Sequence, residues 1–76
     1  MRNKRYSDMC DVFSLRFNRM MDAKGVTMKQ AATDLVIGYV SLCKWAEGEA
    51  LPSCCLLAEM AKYFNCTTDY LLGLEE

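Results

Sequence analysis

Tyr39, Ser41, Cys43 and Lys44 crowd into six residues and fall on the outward face of a short helical pattern. A hydroxyl, a thiol and an amine this close raise three chemistries: nucleophilic catalysis, metal ligation, or recognition of a polar surface. The first two fail on the rest of the chain. There is no histidine, so no imidazole proton shuttle or triad can form. No glycine-rich phosphate loop occurs, the carboxylates are scattered over different helical segments, and Cys43 or Cys54 has no evident base to activate it as a nucleophile. The five cysteines show no C-x-x-C spacing, and the adjacent Cys54 and Cys55 would point about 100° apart on a helix. Neither a zinc site nor a disulfide framework follows. Reduced cysteines serving as small apolar residues fit better and imply a cytoplasmic protein. The expectation is a non-enzyme without cofactor or metal.

The 76 residues suit one domain, which at this size buries roughly 60% of its extended-chain surface. With 53% apolar residues a core is assured and disorder is not expected. The basic start MRNKRYSDMC has no apolar run behind it, so it is not a signal peptide, and nothing approaches membrane-spanning length. Net charge is −1, yet residues 1–44 carry +4 and residues 45–76 carry −5. That asymmetry permits one basic face on an acidic protein, or is simply a chance segregation of solvated charges.

Gly25, Gly38, Gly48, Pro52 and Gly73 cut the chain into helix-sized pieces. The first helix is expected from about Asp8 to Lys24, with Phe13, Phe17 and Met20 as its apolar stripe. Thr27-x-x-Gln30 reads as a capping box opening a second helix whose inner residues are Ala31, Ala32 and Leu35. A third helix begins at Gly38, turns Leu42 and Trp45 inward and ends at Gly48. Ser53 caps a fourth, striped by Leu56, Leu57, Met60, Ala61 and Phe64. Thr67 starts a last short turn ending at Gly73. No strand pattern appears. The fold is therefore expected to be all-α, a compact five-helix domain over 8–74 preceded by a basic arm over 1–7. Arg2, Lys4 and Arg5 in that arm either follow phosphates or are solvated charges.

Two short helices at about 27–47, the first with small inward residues, make a helix-turn-helix. A second helix carried this way, buried on one side only, fits the major groove of double-stranded DNA. From Phe13 to Gly73 the chain resembles the phage-repressor and Cro type of helix-turn-helix domain, the XRE family with its lambda-repressor-like fold. The residues carrying the likeness are Phe17-x-x-Met20, Lys24-Gly25-Val26-Thr27, Ala32, Leu35, Ile37, Leu42, Trp45, Gly48 and Leu51-Pro52-Ser53. Leu56-Leu57-x-x-Met60-Ala61-x-x-Phe64 and Asp69-Tyr70-Leu71-Leu72-Gly73 complete it.

The resemblance implies a stand-alone, sequence-specific transcriptional regulator. Tyr39, Val40, Cys43 and Lys44 would face bases, with Ser41 and Lys29 on phosphate, Gly38 as the helix cap and Arg16 approaching the backbone from the first helix. Val40 serves equally as a half-buried core residue, Cys43 as an inert thiol, and Lys44 as a solvated charge. Several positions depart from the family pattern. Met28 replaces a phosphate-touching Gln, and Val36 replaces the turn glycine, which predicts a reshaped turn because a β-branched residue is costly at positive φ. Met21 and Ala46 stand where relatives pair an Arg with a Glu, and Met21 is expected to pack near Ala46 and Trp45. A homodimer through Tyr70–Leu74 is implied, unless that apolar turn simply closes the monomer's core. The competing function is a protein-interaction module on the same fold, antitoxin-like or anti-repressor, that has lost DNA.

Overall fold

The computed structural model describes residues 4–75. They form five helices: α1 (Lys4–Lys24), α2 (Met28–Leu35), α3 (Tyr39–Ala46), α4 (Cys54–Phe64) and α5 (Thr68–Leu71). The all-α architecture is as the sequence indicates. One boundary differs. α1 begins at Lys4 rather than Asp8, because neither proline nor glycine stands between them to stop it. Lys4–Ser7 of the expected arm are therefore helical, while Arg2 and Asn3 lie outside the described residues.

α1 is the axis of the domain, touching α3, α4 and α5, while α2 packs on α3 and α4. Its buried residues are Cys10, Phe13, Phe17 and Met21, spaced to keep one stripe inward. Met20, expected in that stripe, lies only partly buried beside it. Phe17 stacks on Phe13 with ring centroids 5.8 Å apart and meets the Phe64 ring edge-on at 5.7 Å. Large apolar side chains buried this fully each contribute about 1.5–3 kcal/mol. Leu42, Met60 and Leu71 join the same cluster from α3, α4 and α5.

Three helix starts are capped by hydroxyls. Thr27, Ser53 and Thr67 accept from the backbone N–H of Gln30, Leu56 and Tyr70 at 3.0, 3.4 and 3.0 Å. The capping box at Thr27 is only half formed. Gln30 does not reach back to Thr27; its Nε2 donates to Asp34 at 2.7 Å instead. The chain closes at Gly73, whose φ of +79° and close approach to Val12 leave no room for a side chain.

Candidate nucleic-acid interface

α2 and α3, of eight residues each, are joined by Val36, Ile37 and Gly38. Buried Ala31 and Ala32 let α2 lie close against its neighbours. The turn is not reshaped, contrary to the expectation from Val36. This residue adopts φ 55°, ψ 51°, the left-handed conformation that a glycine would take. Its N–H reaches the Thr33 carbonyl at 3.2 Å, and the Ile37 N–H reaches Ala32 at 2.9 Å. That is a Schellman ending, and with Ile37 packed against the core it holds the turn at a strain cost of about 1–3 kcal/mol. Gly38 then caps α3 with extended backbone and no side-chain bond.

α3 is pinned from behind. Leu42 and Trp45 are buried, and Ala46 packs partly against the same core that holds Met21. Met21 thus lies in the cluster with Trp45, as expected. A second tie was not foreseen. Ser14 Oγ and Asn18 Nδ2, one turn apart on α1, both donate to the Ala46 carbonyl oxygen, at 2.5 and 3.0 Å. The available signal was two small polar residues at i, i+4, each directly following a phenylalanine of the apolar stripe.

The opposite face of α3 is open. Val40 is 67% exposed, so of its two readings the core one falls. Ser41 and Lys44 are exposed, Tyr39 is 48% exposed and Cys43 is half-buried. The Tyr39 hydroxyl is held above the usual phenol range by its hydrogen bond with the Cys43 side chain, then by the charge Cys43 can carry. Lys29, exposed at the start of α2, lines a concavity of about 660 Å³ with Thr33, Val36, Gly38 and Tyr39. Lys29, Gly38 and Tyr39 therefore meet at one end of the pair, and Val40, Ser41 and Lys44 continue the surface along α3. Val36, 90% exposed, belongs to it as well. Its sequence position marked it only as a turn problem.

Arg16 does not join this face. Its Nη1 donates to the carbonyl oxygens of Tyr70 at 3.1 Å and Glu75 at 2.9 Å, and the guanidinium lies 4.4 Å from the centroid of the Tyr70 ring. It clamps the C-terminal segment onto α1, where α5 touches neither α2 nor α3.

Residues 35–46 contain no acid. Asp34 is drawn toward α4, accepting from Tyr63 Oη at 2.6 Å as well as from Gln30. Those hydrogen bonds, Tyr63's first, and the charge of Lys24 hold its carboxyl below the usual range. The next acids, Glu47 and Glu49, lie beyond the far end of α3. There a hydrogen bond with Glu49 and its charge raise the Glu47 carboxyl. Among the described residues no group of three or more His, Cys, Asp or Glu side chains could hold a metal ion, and no helix is long and apolar enough to cross a membrane.

The chain is similar to a curated relative, the HTH-type transcriptional activator BcrR of Enterococcus faecalis, with 30% identity over 64 residues. The match takes in 84% of this chain but 31% of the relative, so the chain corresponds to under a third of that protein's length. No family model matches the chain, and no solved structure matches it.

Proposed function

We propose that the protein is a DNA-binding transcription regulator of the phage-repressor and Cro kind, the XRE family, acting in the cytoplasm without cofactor or catalysis. α3 enters the major groove with Tyr39, Val40, Cys43 and Lys44 toward the bases, while Ser41 and Lys29 meet phosphates. One observation carries this reading: α3 is braced on one side by α1 and leaves its leading edge solvent-exposed, free of acids and flanked by the exposed cations Lys29 and Lys44. The likeness to a helix-turn-helix transcriptional activator supports it. A homodimer would set two such helices on half-sites about 34–36 Å apart. Leu74 at 68% exposure and half-buried Leu72 offer an apolar surface for that pairing, while Leu71 is spent on the core.

The test is selection of bound fragments from a random duplex library, then measurement of binding to a recovered duplex at two salt concentrations. Enrichment of one sequence with affinity falling steeply as salt rises is expected. No binding even at low salt would overturn the reading. The exposed Val36, Tyr39 and Val40 also favour a second function, a protein-interaction module on this fold. That is the function left if duplex DNA is not bound.

A further inference from the structure

We infer that the leading edge reads the 5-methyl group of pyrimidines, so that the preferred duplex places thymine against Val40 and Val36. The inference rests on the DNA-binding reading and specifies its target. At 100° per residue, Val40 lies about 160° from the inward Leu42 and about 140° from the inward Trp45, with Lys44 about 40° to one side of it. An aliphatic side chain, 67% exposed, thus occupies the middle of the outward face. It has no hydrogen bond to offer, and the thymine methyl is the one apolar feature a base pair presents in the major groove. Val36 and Tyr39 extend the apolar surface at the same end of the helix.

The polar alternatives are missing. Residues 35–46 contain no Arg, Asn, Gln, Asp or Glu, so the arginine pairing with guanine, the amide pairing with adenine and a carboxylate to accept from cytosine are not available. Lys44 remains as a donor to guanine one helical turn beyond Val40. Base discrimination at the leading end therefore falls to methyl contact. The same chemistry accepts 5-methylcytosine, whose methyl occupies the equivalent position.

The probe is the duplex recovered by the library selection, resynthesised with deoxyuridine in place of each thymidine in turn. Loss of a contacted methyl should weaken binding about fourfold, the scale set by one methyl-sized group removed from water. At least one position, and two if both valines are used, should show it. At such a position a 5-methylcytosine–guanine pair should bind tighter than a cytosine–guanine pair, which separates methyl contact from a change in duplex shape. The Val40→Ala variant should lose the thymidine-over-deoxyuridine preference at one of these positions. Unchanged affinity after every thymidine is replaced would overturn the inference while leaving the regulator reading intact. Failure to recover any duplex would overturn both.

Discussion

Asn18 on α1 donates from its Nδ2 to the carbonyl oxygen of Ala46, the last residue of α3, at 3.0 Å. Ser14, one turn earlier, donates to the same oxygen. The end of the exposed helix is thereby fixed to the central helix α1 through a main-chain acceptor, with both of its lone-pair sites in use. Ala46 has no polar side chain to offer, and the anchoring point is its backbone.

Removing one donor leaves the other in place. Asn18→Ala or Ser14→Ala alone should cost only about 0.5 kcal/mol, and the double variant more than their sum, up to about 3 kcal/mol, because the carbonyl then loses both partners. Urea denaturation measures this. Strictly additive small losses would mean that the shared acceptor is irrelevant.

Val36→Gly should stabilise the protein by about 1 kcal/mol. Relief of a left-handed β-branched residue, about 1–3 kcal/mol, outweighs the roughly 0.5–1 kcal/mol of added freedom in the unfolded chain. A lower denaturation midpoint for the glycine variant would show the turn to be unstrained.

Gly73→Ala drives a Cβ into Val12 Cγ1, at a φ of +79°. We expect a loss of about 1–3 kcal/mol, of which Val12→Ala in the same chain recovers the steric part and leaves the backbone part. Thermal melts of the three variants separate the two.

Arg16 and Lys29 should part company. Arg16→Ala strips a clamp from the C-terminal segment and should lower the melting temperature while leaving the salt dependence of duplex binding unchanged. Lys29→Ala should leave the melting temperature nearly unchanged and reduce the slope of log K against log salt by about 0.9, one phosphate contact. The opposite pattern would return Arg16 to the DNA face.

The Asp34–Tyr63 bond makes stability depend on pH from both sides. Asp34 has a lowered folded pKa, so its contribution is present above the unfolded value of about 3.9 and lost as pH falls through the lower folded one. Tyr63 is pushed up to about 12, first by burial and then by its bond to Asp34, so its contribution is present below about pH 10 and lost as pH rises through 12. Melting temperatures from about pH 8 to 11.5 should fall more steeply for the wild type than for Tyr63→Phe. Parallel slopes would remove Tyr63 as the cause.

Much of the site could be read from spacing. The capping hydroxyls of Thr27, Ser53 and Thr67, the glycine stops and the inward Leu42 and Trp45 are local facts, set by hydrogen bonds and periodicity within a turn or two. These determined five helices, one of them short and turned outward. What spacing could not supply depends on partners far along the chain. Arg16 looked like a cation available to phosphate until the C-terminal carbonyls 54 and 59 residues away took it up. Gln30 looked like half of a capping box until Asp34, itself oriented by Tyr63, offered a charged acceptor. Val36 looked unfit for its turn, and two backbone bonds with the burial of Ile37 hold it there. Local sequence settles which conformations are inexpensive; only the packed chain decides which expensive one is kept and which exposed-looking charge is already engaged.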